Sequence, residues 1–360
     1  MGLLSGAQTQ LMRAQYQAAS TAKVSWFSAF YILGRHIVGP LTAPGEVPRP
    51  MRSAAPPMAD MRREFGHLFT DEWRDVEAGT YKMPKEFRTR PNPLQSISNA
   101  RAYIKEAQAV SRRATRQGGG TEVRDISGDS FPNYYRQNFH FQTDGWLSDK
   151  SAQVYDTQVE VLFTGAAAAM RRRALSLIAP EIRRMMSEGR SEESIQLADV
   201  ACGTGPLLHD VVDNFPKLSL TGVDLSAPYL AEAKKMAGSA ENARFVVAPA
   251  EHLPFEDNSV DILMTVYLYH ELPPKVRREV AAETARVLRP GGLYVHLDSV
   301  QYGDTSMDVL LESFPRAFHE PYYDSYCGED LKALFADVGL AQETEKLGFL
   351  SKAGAYRKAG

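Results

Sequence analysis

The chain predicts an α/β fold: a doubly wound, mostly parallel sheet behind a mainly helical N-terminal extension. Three observations carry this. From residue 195 onward, short apolar runs bounded by turn residues alternate with helical stretches, the pattern of buried parallel strands covered on both faces. The first run ends in the glycine-rich turn Cys202-Gly203-Thr204-Gly205. The second ends in an acid, Asp224.

Residues 8–37 read as a helix with Val24, Phe27, Phe30, Tyr31 and Ile37 on a rough apolar face. Residues 39–57 hold six prolines and read as an extended connector. Residues 60–79 and 93–116 read as exposed helices, and Gly118-Gly119-Gly120 as a break. Residues 131–146 are dense in aromatics: Tyr134, Tyr135, Phe139, Phe141 and Trp146, with His140 among them. Residues 155–177 read as one helix carrying an alanine run and then Arg171, Arg172 and Arg173. Strands follow at 195–201, 218–223, 244–248, 260–267 and 293–298, with helices at 206–214, 228–237 and 274–288. A helix at 330–338 and two short strands, 340–347 and 349–356, close the chain. The organisation is therefore an N-terminal helix and proline-rich linker (1–58), a helical extension (59–130), an aromatic-rich lid with a helix (131–194) and the α/β domain (195–360).

Composition narrows the function classes. A formal net charge of -3 supplies no global field for polyanions, so no nucleic-acid partner is expected. Two distant cysteines, Cys202 and Cys327, make neither a disulfide framework nor a thiolate metal site, which suits a reducing compartment such as the cytoplasm. No uncharged apolar run approaches the roughly 18 residues of a membrane span. The first 58 residues carry Arg13, Lys23, Arg35, Arg49 and Arg52 against one acid, Glu46. That bias leaves three readings open: an organelle-targeting segment, a helix over residues 8–38 lying on an anionic membrane, or a helix packed on the domain. Gly6 stands where the myristoylation pattern wants Ser or Thr.

The chemistry starts at the glycine turn. Glycines let the backbone bend sharply and approach a ligand, and the helix that follows offers unpaired N–H groups. Asp224, 21 residues after Gly203, can accept two hydrogen bonds from ribose hydroxyls. Bonds of this charge-assisted kind contribute roughly 1.5–3 kcal/mol each. A dinucleotide site also wants a small residue three positions after the second glycine, where this chain has Leu208. A nucleoside without a pyrophosphate needs only the one GxG.

The residues 199–205, then Gly222-Val223-Asp224-Leu225-Ser226, resemble the first two motifs of class I S-adenosylmethionine-dependent methyltransferases. Ala248-Pro249-Ala250-Glu251-His252-Leu253-Pro254-Phe255 resembles the third. Ser259-Val260-Asp261-Ile262-Leu263 and Arg286-Val287-Leu288-Arg289-Pro290-Gly291-Gly292 resemble the entries to the fourth and fifth strands. The pattern is most similar to the ubiquinone/menaquinone-type, or type 11, small-molecule branch, and covers residues 195 to about 356. The resemblance implies a Rossmann-like seven-stranded sheet whose last strand is antiparallel and inserted beside the fifth. It implies S-adenosyl-L-methionine as cofactor, S-adenosyl-L-homocysteine as product and no metal. It places Gly203 and Gly205 under the methionine part, Asp224 at the ribose, Ala250 and Glu251 at the adenine, and Thr265 and Tyr267 at the sulfonium, with Leu225 also among the cofactor-binding residues. Asp199 is either a donor contact or an organiser of the glycine loop.

On the acceptor side, His270 is the first candidate for a general base because an ordinary imidazole titrates near neutrality. Glu271 is the second. Tyr302, His319, Tyr322 and Tyr323, with Tyr134, Tyr135, Phe139 and Trp146, are the candidates for an aromatic acceptor pocket. The fourth strand is not followed by the Asn/Asp-Pro-Pro-Tyr sequence of enzymes that methylate base or glutamine amino groups. The leading expectation is thus an enzyme methylating a small, hydrophobic or aromatic acceptor on O, C or N. The competing readings are a membrane lipid or quinone acceptor, a protein or RNA partner docked by the N-terminal region, and a donor-binding protein without transfer.

Overall fold

The computed structural model describes residues 6–38, 52–89, 93–114, 123, 131–238, 240 and 242–360. Residues 39–51 of the predicted 39–57 connector and the glycine break at 118–120 lie outside these residues. Seven strands, β1 (Gln196–Val200), β2 (Ser219–Asp224), β3 (Ala243–Val247), β4 (Val260–Val266), β5 (Leu288–Ser299), β6 (Leu340–Gly348) and β7 (Ser351–Lys358), form one sheet in the order β3-β2-β1-β4-β5-β7-β6. The first five pair in parallel; β7 runs antiparallel between β5 and β6. The predicted Rossmann-like sheet, with its last strand inserted beside the fifth, is therefore present.

Successive strand residues face opposite sides, so each side of the sheet has its own core. Leu197, Ile262, Met264 and Val295 pack on one side. Ala198, Val200, Leu263 and Tyr294 pack on the other, against Val280 and Ala281. These last two belong to the helix Pro274–Val287.

The N-terminal region comprises α1 (Gly6–Val38), α2 (Met58–Glu77), α3 (Lys85–Arg88), α4 (Pro93–Ala114), α5 (Asp149–Leu162) and α6 (Ala167–Ser187). The expected single helix over 155–177 is instead α5 and α6, separated by Thr164 and Gly165 at φ of 49° and 86°. The reason is tertiary. A Cβ on Gly165 would lie 3.2 Å from the Lys23 carbonyl oxygen and from Val24 Cα, so α1 crosses where the helix breaks. The predicted strand at 349 also starts later, at Ser351, because Phe349 turns with φ of 60°.

Tyr16 of α1 and Trp73 of α2 belong to the same buried cluster as Leu197 and Ile262, so the extension shares the core of the sheet. Buried charges join it there. Arg172 pairs with Glu72, Glu86 and Asp210; Arg173 pairs with Asp75; Lys23 pairs with Glu86 and Glu160. The three consecutive arginines, Arg171, Arg172 and Arg173, are all buried.

Candidate active site

The remaining helices are α7 (Pro206–Asn214), α8 (Ala227–Ala237), α9 (Pro274–Val287), α10 (Asp308–Ala317), α11 (Tyr323–Cys327) and α12 (Leu331–Ala336). At the carboxyl end of the sheet lies a cleft of about 780 Å³ of empty space, its open mouth included. Ligands bind at this end in open parallel sheets. Its floor is the turn after β1, where Ala201, Gly203 and Gly205 have φ of 60°, 56° and 77°. The two glycines differ in what they permit. A Cβ on Gly203 would meet nothing nearer than a Tyr229 ring carbon at 4.0 Å, so its backbone borders open space. A Cβ on Gly205 would lie 3.0 Å from the Ala233 Cβ. Gly205 therefore lets α7 approach α8 and is absent from the cleft wall, contrary to the expected donor contact.

Asp224, at the tip of β2, accepts the Gly203 N–H on Oδ2 and the Ser226 N–H on Oδ1, each at 2.8 Å. Its carboxylate lines the cleft beside Leu225. Burial pushes its pKa above the usual carboxylate value, against the pull of these backbone N–H groups. Asp199 lies beneath the turn, outside the cleft wall. Burial, then the Asp224 charge, push its pKa well up. Its Oδ1 has no hydrogen-bond partner among the described residues.

Ala248, Pro249 and Ala250 form the next wall. Glu251 is turned away from it and accepts the Tyr134 hydroxyl on both oxygens, at 2.8 Å each. After β4, Val266, Tyr267 and Leu268 line the cleft. Thr265 does not face it. Strand alternation sends its side chain to the opposite side of the sheet, where Oγ1 is 2.7 Å from the Tyr294 hydroxyl.

Glu271 sits in the wall, whereas His270 lies behind it. His270 Nδ1 is 2.6 Å from Asp298 Oδ1, and Asp298 Oδ2 accepts the Tyr269 N–H at 2.8 Å. Burial disfavours the imidazolium, but the Asp298 carboxylate overrides it and holds the His270 pKa at about 9. His270 thus carries its proton at neutral pH and is poorly suited to accept another. Burial pushes Glu271 well above the usual carboxylate range, with the neighbouring His270 charge opposing.

The His270–Asp298 pair sets a stability window. A folded pKa above the unfolded value of about 6.5 stabilises fully below that value and is lost as pH rises through about 9. The shift corresponds to about 3 kcal/mol. Between about pH 6 and pH 10, His270→Asn is expected to flatten the fall in unfolding free energy relative to the parent chain, measured by urea titration at each pH. Parallel curves would refute this.

The roof is aromatic. Tyr134, Tyr135, Phe139 and Trp146 line the cleft, joined by Tyr155 of α5 and Tyr229 of α8. Phe139 stacks on Trp146 with centroids 5.9 Å apart, and Tyr155 meets the same indole edge-on at 5.2 Å. The roof is pinned by the Ser226 hydroxyl donating to the Trp146 carbonyl and by Gln142 donating to the Tyr229 hydroxyl at 3.0 Å. Of the eight aromatic candidates, Tyr302, His319, Tyr322 and Tyr323 stand outside the wall. Tyr302 bonds Asp324 at 2.7 Å, His319 contacts Gln137 at 3.1 Å, and Tyr323 bonds Ser299 at 2.6 Å. Tyr322 packs on the roof cluster from outside.

Two wall residues escape sequence reasoning for different reasons. Tyr229 follows the Ser226 cap by three residues, so its place near the ribose acid was inferable. Tyr155 has no local signal, because α5 reaches the cleft only through packing. Its neighbour Asp156 accepts the Thr204 hydroxyl at 3.0 and 2.9 Å and thereby props the glycine turn. Among the described residues, no group of three His, Cys, Asp or Glu is placed to hold a metal ion.

A carboxylate at the tip of β2, a bare-backbone turn after β1 and a β7 inserted beside β5 are the arrangement expected of a class I, S-adenosylmethionine-dependent methyltransferase domain. Residues 197–292 match the family profile described as a methyltransferase domain. The chain is 32% identical over 157 residues to a ubiquinone/menaquinone biosynthesis C-methyltransferase of Campylobacter jejuni, covering 42% of this chain and 61% of the relative. It is 33% identical over 122 residues to a sterol 4-C-methyltransferase of Caenorhabditis elegans, covering 32% and 34%. It is 30% identical over 154 residues to a malonyl-[acyl-carrier protein] O-methyltransferase of Geobacter sulfurreducens, covering 43% and 54%. The chain thus spans at most about three-fifths of the length of these relatives.

Proposed function

We propose that the chain transfers a methyl group from S-adenosylmethionine to a small, hydrophobic or aromatic acceptor. The observation that carries this reading is the Asp224 carboxylate, oriented by two backbone N–H groups and exposed to the cleft beside the open face of Gly203. These residues fit the donor: Asp224 would hold the ribose, Leu225 and Ala250 would border the adenine, and Gly203 would let the backbone lie against the methionine portion. When bound, the donor supplies a methyl carbon already activated by its sulfonium. The chain's own work is positioning and dehydration. The roof of Tyr135, Phe139, Trp146 and Tyr155 excludes water, and Tyr267 walls the cleft at the end of β4. Glu271 takes the place proposed for the base, because it stands in the wall with a carboxyl inclined to accept a proton, while His270 stays charged behind it. Relatives named for ubiquinone/menaquinone and sterol methylation support an apolar acceptor.

A specific observation also favours an acceptor held in a membrane. Along α1 the exposed residues Leu11, Ala14, Ala18, Ala22, Trp26, Ala29 and Leu33 recur at steps of three and four and carry no charge. No described helix is long and apolar enough to cross a bilayer, but such a face suits one lying on it. A single experiment separates the readings. Methyl-labelled donor is incubated with an apolar metabolite extract, either dispersed in detergent or incorporated in anionic liposomes. Label is expected in an organic-soluble product. If the membrane reading holds, Trp26→Glu with Leu33→Glu lowers transfer about tenfold from liposomes only. No labelled product in either arm sinks the enzyme reading, and equal loss in both arms sinks the membrane reading.

A further inference from the structure

A second cavity lies between α1 and α2, with about 790 Å³ of empty space, its open mouth included. None of its wall residues lines the cleft at the sheet. Its two ends can be told apart. Tyr16 of α1 meets Trp73 of α2 with ring centroids 5.7 Å apart, and Arg13, about one helical turn before Tyr16, joins them in the wall. Val24 and Phe65 mark the other end. Val24 borders the helix break at Gly165, and Phe65 packs on the buried cluster that holds the next residue, Ala166. From Arg13 to Val24 the groove follows α1 for about 16 Å, at about 1.5 Å per residue.

The ends offer different chemistry. At the first, the Trp73 indole is buried and its N–H has no hydrogen-bond partner among the described residues. Arg13, in the same wall, pairs with no acid among those residues. A buried donor without an acceptor is costly, and in a folded chain it marks a place where another group belongs. Toward the second end, Phe65 and Phe69 stand with centroids 5.3 Å apart and, with Val24, give the wall an apolar surface. The buried or half-buried polar side chains between are already spent. Ser20 donates to the Gln17 carbonyl at 3.2 Å, and the Tyr16 hydroxyl donates to Glu72 at 2.6 Å. Thr21 and Ser25 are exposed and edge the mouth.

We propose that this groove binds a single apolar chain ending in a carboxylate. The head lies at Arg13 and the Trp73 N–H, and the tail runs along Phe69 toward Val24 and Phe65. A guanidinium and an N–H together make charge-assisted bonds to a carboxylate, and the apolar wall takes the chain out of water. The site stands apart from methyl transfer and does not depend on it.

The test is calorimetric. The full chain is titrated with octanoate and, separately, with octylammonium, both below their micelle concentrations. The formal net charge of -3 favours the cation wherever binding is non-specific, so a preference for the anion reports the groove. Octanoate is expected to bind about fivefold tighter than octylammonium. Arg13→Gln is expected to erase that preference. Thr21→Trp, an exposed substitution that fills the mouth, is expected to weaken octanoate by about tenfold or more. Octylammonium binding as tightly as octanoate, an anion preference that survives Arg13→Gln, or octanoate binding untouched by Thr21→Trp overturns the proposal. Titration with S-adenosylhomocysteine reads the donor site separately, so failure here leaves the methyltransferase reading standing.

Discussion

Asp224→Ala is expected to weaken binding of S-adenosylhomocysteine by about a hundredfold or more while the fold survives. Two charge-assisted bonds to ribose hydroxyls disappear, each worth roughly 1.5–3 kcal/mol, and about 1.4 kcal/mol is a factor of ten in affinity. The Gly203 and Ser226 N–H groups lose their acceptor as well, so the turn that should border the donor loosens. Stability should change little. Burial already raises the pKa of this carboxylate, so removing it also relieves a buried charge. Asp224→Asn keeps the shape and one acceptor and should fall between the two. Calorimetric titration of S-adenosylhomocysteine, beside a thermal melt of the same sample, measures both quantities. Affinity like that of the parent chain would remove Asp224 from the site.

Glu72→Ala should produce the largest loss of stability. Glu72 is fully buried on α2, where it pairs with Arg172 of α6 and accepts the Tyr16 hydroxyl of α1 at 2.6 Å. Removing it leaves a buried guanidinium with only Glu86 and Asp210 for company. Breaking a buried pair from one side costs about 3–5 kcal/mol, because the remaining charge stays desolvated. Replacing both partners, Glu72→Met with Arg172→Met, should recover most of that loss. Urea denaturation of the parent, the two single variants and the double variant closes the cycle. A Glu72→Ala variant within about 1 kcal/mol of the parent would show that the seam between extension and sheet is not held by this pair. The extension would then share only its apolar contacts, such as Tyr16 and Trp73, with the core.

The two substitutions also separate two kinds of legibility. Asp224 could be chosen from the sequence, because a strand, a turn and an acid at fixed spacing are all local features. The same holds for Gly203, Leu225 and Ala250, which lie on the cleft as expected. Neighbours within a motif were harder. Thr265 and Tyr267 belong to one motif, yet the first ends on the face packed against Tyr294, while the second lies past the end of β4 with φ of 56°, which turns it into the wall. Gly203 and Gly205 are alike in sequence, but only the second is pressed against another helix.

What the sequence determined by itself was the α/β sheet, its seven strands and the donor end of the cleft, since these depend on apolar periodicity and on turn residues acting over a few positions. Tertiary structure decided the rest. It split one helix at Gly165 because α1 passes there, and it drew Arg172 into a buried seam with an acid 100 residues away. It set His270, the expected base, behind the cleft wall against Asp298. Each of these outcomes depends on which distant groups share a low-dielectric space, and local pattern does not encode that.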